Sequence, residues 1–140
     1  MNLKARSLVT VMIVIALSSL ILRFALEKLI QFNIAQNEAA AQENLRLVTA
    51  ALENYAKDNQ GTFPAGLSAL YQSSPPYLEE EYITESQRQG YSYNCSRVEA
   101  SGYNCSATPL KCQETGGKVY RISTGGLLIS EDCSSKKEEE

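Results

Sequence analysis

Histidine and tryptophan are both absent from the 140 residues. The lack of histidine removes the commonest general base, the usual partner of a serine or cysteine nucleophile, and every zinc site that needs imidazole. The formal net charge of -3 provides no basic face of the kind that neutralises nucleic-acid phosphates. We therefore expect a protein that is not an enzyme, holds no cofactor or metal, and binds no nucleic acid.

Glycine, proline and cysteine are absent from residues 1–60, whereas all 8 glycines, 4 prolines and 4 cysteines lie between Gly61 and Cys133. Residues that break helices or form turns are thus confined to the second part of the chain. This partition predicts one continuous helix over residues 3–58, followed by a compact, turn-rich domain. We place the two parts at residues 1–60 and 61–140.

An apolar run begins just after Lys4 and Arg6. If Arg23 reaches the lipid headgroups, the apolar stretch covers residues 8–26, about 28 Å of helix against a hydrocarbon core of about 30 Å. We interpret it as a membrane anchor; a cleaved signal peptide and a buried soluble helix are the alternatives. The basic residues before the run predict a cytoplasmic amino terminus, so that everything after residue 30 faces outward.

The anchor continues into an amphipathic stretch, in which apolar side chains recur at spacings of three, four or seven. These positions are Leu26, Leu29, Ile30, Ile34, Ala41, Leu45, Val48, Leu52 and Tyr55. A helix over residues 3–58 would be about 84 Å long, which is more than a domain of about 80 residues can cover. We therefore predict that Leu29, Ile30 and Ile34, near the membrane surface, contact other subunits.

Strand patterns dominate the second part from residue 90 onward. Four alternating segments are predicted as strands, at residues 91–98, 103–108, 118–123 and 127–130. Residues 99–102 connect the first two strands as a hairpin, and residues 124–126 are typical of a tight turn between the last two. A short helical turn at residues 65–70 precedes them. The predicted fold class is α+β, with a long amino-terminal helix packed on a small antiparallel sheet.

All four cysteines, Cys95, Cys105, Cys112 and Cys133, lie in the second part. Their spacings lack the close pairs of structural zinc sites, so disulfides are the better interpretation if the domain is exported. Cys95 and Cys105 occupy equivalent places in two Tyr-Asn-Cys-Ser copies, which a hairpin would set opposite one another. We favour the pairs Cys95–Cys105 and Cys112–Cys133, and spacing leaves the other two connectivities open.

Several motifs in this chain resemble those of the type IV pilins and the type II secretion pseudopilins. The most specific part is Tyr55–Pro64, with the sequence YAKDNQGTFP, followed by Leu67-x-x-Leu70 with Pro75-Pro76-Tyr77-Leu78, by Gly90-Tyr91 and by Ala107-x-Pro109. The likeness covers nearly the whole chain. It implies that the first helix packs with the helices of other subunits into a fibre, which the second domain coats.

The leader segment departs from the family pattern. Pilin precursors carry a Gly-Phe-Thr-Leu-Ile-Glu type motif, cleaved after the glycine by a membrane prepilin peptidase. That motif aligns with residues 5–10, where Ala5, Arg6 and Thr10 replace the glycine, the phenylalanine and the glutamate. In the family the glutamate is thought to neutralise a neighbour's amino terminus, which Thr10 cannot do. The resemblance therefore implies a minor or tip subunit, and we expect its neighbour to be a different subunit.

The resemblance implies a non-enzymatic structural subunit of a type IV pilus or type II secretion-type fibre. It implies the bacterial inner membrane, with the second domain periplasmic or extracellular, and as partners other pilin-like subunits, the inner-membrane assembly platform and the lipid bilayer. An uncleaved, membrane-tethered periplasmic binding module on the same scaffold is the alternative. An enzyme would have to use Glu79–Glu81, Tyr82 and Glu131–Asp132, where no base or nucleophile arrangement is visible.

Overall fold

The computed structural model describes residues 3–79 and 87–134, with side chains from Leu8 onward. One helix, α1 (Leu3–Asp58), runs through the region that lacks glycine and proline. It ends where Gln60 and Gly61 take positive φ angles of 58° and 82°, and the Gly61 N–H donates a hydrogen bond to Ala56 O at 2.7 Å. Left-handed residues of this kind satisfy the last helix carbonyls. The predicted helix over residues 3–58 is confirmed.

The chain divides into two compact units, Met1–Asn33 and Ile34–Glu140. We call residues 8–33 of α1 the exposed segment, because every one of its side chains is exposed. We call residues 34–58 the packed segment, since its buried side chains recur at helical spacing and it belongs to the same unit as the sheet. The second unit therefore contains part of α1 as well as the turn-rich region.

The second unit contains a five-stranded antiparallel sheet with the order β1-β2-β3-β4-β5. Its strands are β1 (Gln87–Arg88), β2 (Tyr91–Glu99), β3 (Gly102–Pro109), β4 (Lys118–Ser123) and β5 (Leu127–Asp132). Each strand pairs with the next one along the chain. The predicted α+β class and its four strands are confirmed. The sequence did not predict β1, because two residues are too few to show an alternation.

A β-bulge sets the register of the β2–β3 hairpin, where the pairing shifts between Cys95 and Arg97. A bulge inserts one extra residue into one strand of an antiparallel pair. Here it brings Cys95 opposite Cys105, whereas the register of the hairpin turn, continued without a shift, would have set Cys95 opposite Ser106. The bulge thus decides which side chain Cys95 faces.

A glycine turn joins β4 to β5. Gly125 and Gly126 have φ angles of +86° and +74°, a conformation that other residues rarely adopt and that suits the twist of a two-strand ribbon. The Gly126 N–H donates a hydrogen bond to Ser123 O at 2.9 Å. The tight turn predicted at residues 124–126 is confirmed.

The hydrophobic core lies between the packed segment and one face of the sheet. Its buried members include Ala41, Leu45 and Leu52 from α1, Tyr91, Tyr103, Cys105, Ala107, Tyr120 and Ile122 from the sheet, and Leu70 and Leu78 from the connection between them. The backbone of Gly116 lies so close to the phenol ring of Tyr91 that a Cβ atom at this position would collide with the ring. The phenol of Tyr91 therefore packs directly against the backbone of Gly116.

The short helix α2 (Ser68–Gln72) lies three residues beyond the start of the predicted helical turn at residues 65–70. Gly66 explains the difference, because glycine is a poor helix former and the helix begins only after it. The later start still places Leu70 in the core, where its side chain is fully buried.

Candidate functional site: the amino-terminal helix

Large apolar side chains dominate the exposed segment. Leu22, for example, is 61% exposed, and the neighbouring leucines, isoleucines and valines are exposed to a similar degree. Soluble proteins rarely expose contiguous apolar patches above a few hundred Å². By length and composition α1 could cross a membrane, a test that a signal sequence near the amino terminus also passes. The exposed segment is therefore a candidate membrane span.

The predicted assembly residues lie where the two segments of α1 meet in the sequence. Leu29 and Ile30 are 57% and 48% exposed, and Ile34 is half-buried. Among the leader residues, Thr10 lies on α1 with its side chain exposed. Ala5 and Arg6 lie outside the residues whose side chains are described.

Charged side chains interrupt the apolar surface of the exposed segment at Arg23, Glu27 and Lys28. Arg23 and Glu27 are one helical turn apart and line a shallow groove together with Leu20 and Phe24. In the described part of the chain, neither Arg23 nor Glu27 takes part in an ion pair. Lys28 lies on a neighbouring side of the helix, with its Nζ atom 3.5 Å from an amide oxygen of Gln31.

The packed segment contacts the sheet through the apolar positions that its periodicity predicts. Ala41, Leu45 and Leu52 are buried, and Val48 and Tyr55 pack against them as partly buried side chains. Tyr55 also meets the ring of Tyr77 edge-on, with 5.5 Å between the ring centroids. This part of the amphipathic pattern therefore forms an intramolecular interface.

Glu38 holds the beginning of the packed segment to the sheet. Its Oε1 atom accepts a hydrogen bond from the Gly117 N–H at 2.9 Å, and its Oε2 atom accepts one from the Tyr120 hydroxyl at 3.3 Å. The neighbouring Asn37 donates from Nδ2 to Thr115 O at 2.9 Å. Hydrogen bonds to a carboxylate are stronger than those between neutral groups, so these contacts fix the loop before β4 against the helix.

Glu53 plays the same part near the end of α1. Its Oε1 atom accepts hydrogen bonds from the Tyr103 hydroxyl at 2.8 Å and from the Gly125 N–H at 3.0 Å. Between the two glutamates, Asn44 Nδ2 donates to the Tyr93 hydroxyl oxygen at 3.0 Å. Two carboxylates and two amides of α1 therefore position the helix along the sheet.

Sequence reasoning missed these polar contacts. The sequence did contain a sign of these contacts. Glu38 lies three residues before Ala41 and Glu53 lies next to Leu52, so both glutamates are at the edge of the apolar stripe. The chain also contains 8 tyrosines, whose hydroxyls need partners when buried. Apolar periodicity alone does not say which polar side chains at the edge of a stripe will find those hydroxyls.

Burial and negative charge raise the pKa values of the tyrosines at this interface. Burial, followed by the hydrogen bond to the Glu53 carboxylate, raises the pKa of Tyr103 to about 12. Burial, followed by the negative charge of Glu38, raises the pKa of Tyr91 and of Tyr120 above the ordinary value. These phenols are therefore neutral hydrogen-bond donors at physiological pH, which suits a structural role.

Two disulfides fasten the sheet. Cys95–Cys105 joins β2 to β3, and Cys112–Cys133 joins the loop before β4 to the residue after β5. These are the two pairs that the sequence favours, and they use all four cysteines. Disulfides persist in oxidising compartments, so their presence points to an oxidising compartment.

The polar residues considered for an enzyme lie only partly within the described chain. Glu131 forms an ion pair with Arg121 at 3.0 Å, and Glu79 is exposed, whereas residues 80–82 lie outside the described residues. Within residues 3–79 and 87–134, no group of three or more cysteine, aspartate or glutamate side chains could hold a metal ion.

The candidate site is thus one helix, α1. Its first part is exposed and apolar, and its second part packs against a disulfide-bonded sheet. No family model, curated protein or solved structure matches the chain. The pilin-like function accordingly rests on the residues and contacts described above and stays a proposal.

Proposed function

We propose that this protein is a non-enzymatic, membrane-anchored, pilin-like subunit of a type IV pilus or type II secretion-type fibre. The observation that supports the proposal best is the contrast along α1. The packed segment is covered by the protein's own sheet, whereas the apolar side chains of the exposed segment are exposed in the described part of the chain. A helix of this kind needs lipid before assembly and neighbouring helices afterwards.

The proposed location is the bacterial inner membrane, with a single pass. Lys4 and Arg6 precede the apolar run, and basic residues are retained on the cytoplasmic side. The sheet would then lie on the outer side, in the periplasm or beyond, where its two disulfides are stable. The charge bias and the disulfides support the same orientation independently.

The proposed partners are other pilin-like subunits, which would contact α1 around Leu29, Ile30 and Ile34, and the inner-membrane platform that assembles them. Leu29 and Ile30 are exposed in the protein alone. Thr10, where the resembling families carry a glutamate, supports a minor or tip position, because it cannot neutralise the amino terminus of a following subunit. The absence of histidine supports a structural role over a catalytic one.

Cysteine crosslinking in living cells tests the proposal. We expect a single cysteine at Ile30 or Ile34, in a protein that keeps both native disulfides, to crosslink to the helix of another pilin-like subunit. Ile34→Glu should abolish association at this place because it inserts a charge into an apolar contact, whereas Ile34→Leu should preserve it. Retention of both disulfides in each variant will show that the sheet still folds.

The opposite result has a defined meaning. If cysteines at every position from Phe24 to Ala41 yield only uncrosslinked monomer in native membranes, the assembly proposal is wrong. A tethered periplasmic binding module, uncleaved and monomeric after mild detergent extraction, would then be the better account.

A further inference from the structure

The exposed segment carries two opposite charges on one face. Arg23 and Glu27 are four residues apart, so they lie above one another on the helix, and Leu20 and Phe24 complete the lining of the groove between them. Both charges lie at the outer end of the candidate membrane span. In the described residues neither charge has an ion-pair partner. This face, formed by residues 20, 23, 24 and 27, we call the charged face.

An ion pair between Arg23 and Glu27 of the same helix has the less favourable order of charges. At a spacing of four residues, a glutamate that precedes its basic partner is favoured over the reverse order, and here arginine comes first. Charged side chains in or near a membrane span are costly, and they commonly pair with groups on other helices. Arg23 alone can reach the lipid headgroups, whereas a partner helix that offers an acid and a base one helical turn apart would pair both charges.

A second copy of the same chain has that arrangement of charges. Two copies in one membrane insert in the same orientation, so their helices are parallel. In a two-fold symmetric pair, residue i of one copy contacts residue j of the other, and the reciprocal contact forms as well. Arg23 of each copy could then reach Glu27 of the other, and all four charges would be satisfied together, while the side chains of Leu20 and Phe24 pack between the helices.

We propose that two copies of this chain associate side by side through the charged face, with reciprocal ion pairs between Arg23 and Glu27. This inference rests on the proposed membrane location of α1. The inference differs from our expectation of an unlike neighbour. That expectation depends on Thr10, which lies more than three helical turns from Arg23. A minor subunit that is present as a pair would satisfy both observations.

Charge reversal in two differently tagged copies tests the inference. Arg23→Glu leaves two acids on the charged face, and Glu27→Arg leaves two bases. Neither variant can form an ion pair within its own helix, but the two variants complement each other. The tagged full-length proteins would be expressed singly or together, extracted in mild detergent, and tested for copurification of one tag with the other. Lys28→Glu, a reversal on a neighbouring side of the helix, is the matched control.

We expect either reversal alone to reduce copurification by about 3- to 30-fold, the range that interhelical polar contacts in membranes imply. Co-expression of the two reversals should restore copurification to the level of the natural protein, and Lys28→Glu should leave it unchanged. Unchanged association in the single reversals, or no recovery in the mixture, would overturn the inference. If crosslinks from Ile30 or Ile34 to a different subunit persist in that case, the proposed function stands and only the self-association is wrong.

Discussion

The two segments of α1 share one secondary structure and differ in the exposure of their side chains. Leu22 in the exposed segment is 61% exposed, whereas Leu45 in the packed segment is 2% exposed. Both are good helix formers in a region without glycine or proline, so local propensity does not distinguish them. The difference arises within the second unit, where the sheet covers the packed segment.

The comparison shows that apolar residues and polar anchors have separate tasks along this helix. In the packed segment, buried leucines provide the hydrophobic contact, and Glu38 and Glu53 accept hydrogen bonds from the sheet. In the exposed segment, apolar residues occupy every side of the helix, as expected for a helix surrounded by lipid or by other helices. Matched substitutions in the two segments should therefore have different effects on the sheet domain.

The largest difference should appear for leucine. We expect Leu45→Ala to lower the free energy of unfolding of the second unit by about 2–5 kcal/mol, because it leaves a cavity in the core. Leu22→Ala, the same substitution on the same helix, should change it by less than about 0.5 kcal/mol. Chemical denaturation in detergent, followed by tyrosine circular dichroism, measures both. Equal effects would show that the two segments share one environment.

The disulfide that closes the longer loop should have the next largest effect. Replacing Cys112 and Cys133 together by serine should cost about 3 kcal/mol on the loop-entropy account and should speed amide exchange in β5, which the bond holds at its end. Before reduction, thiol alkylation of the natural protein should modify no cysteine, and after reduction it should modify all four. Free thiols in the native protein, or bound zinc, would contradict the disulfide assignment.

A smaller effect is expected from the polar anchors. Glu38→Gln should lower the free energy of unfolding by about 1–2 kcal/mol, because a neutral amide accepts the Gly117 and Tyr120 hydrogen bonds more weakly. Glu43→Gln, at an exposed position of the same segment, is the control and should be almost neutral. If both substitutions have the same effect, the Glu38 contacts do not stabilise the interface and only the net charge matters.

The last effect concerns pH. The pKa of Tyr103 is raised to about 12 in the folded protein, whereas an unfolded tyrosine titrates near pH 10. Because the unfolded chain loses this proton first, the free energy of unfolding should be steady below about pH 10 and fall between about pH 10 and 12. Tyr103→Phe should make that fall less steep, although part of it remains because the pKa values of Tyr91 and Tyr120 are raised as well. A fall of unchanged slope in the phenylalanine variant would assign the pH dependence to other groups.

Most of the framework could be predicted from the sequence because it depends on local patterns. The absence of glycine and proline up to Gln60 predicts α1, and alternation predicts the four longer strands to within two residues at their ends. The glycines of the β4–β5 turn could also be predicted, since few other residues adopt their φ angles.

The unpredicted features depend on how distant elements meet. The bulge that brings Cys95 opposite Cys105 has no local pattern in β2, and the pairing of Glu38 and Glu53 with Gly117, Tyr120 and Tyr103 requires the position of the helix along the sheet. The two-residue strand β1 exists only through its pairing with β2.

A cysteine accessibility scan along α1 tests the central claim most directly. Single cysteines would replace Val11, Ile15 and Leu22 in the exposed segment and the exposed residues Ala50 and Asn54 in the packed segment. The reagent is a maleimide that cannot cross the inner membrane, applied to cells whose periplasm is accessible. We predict labelling at positions 50 and 54 in intact cells, and at positions 11, 15 and 22 only after detergent extraction. Labelling of position 15 in intact membranes, or of position 54 only after the inner membrane is permeabilised, would contradict the anchored, outward-facing arrangement.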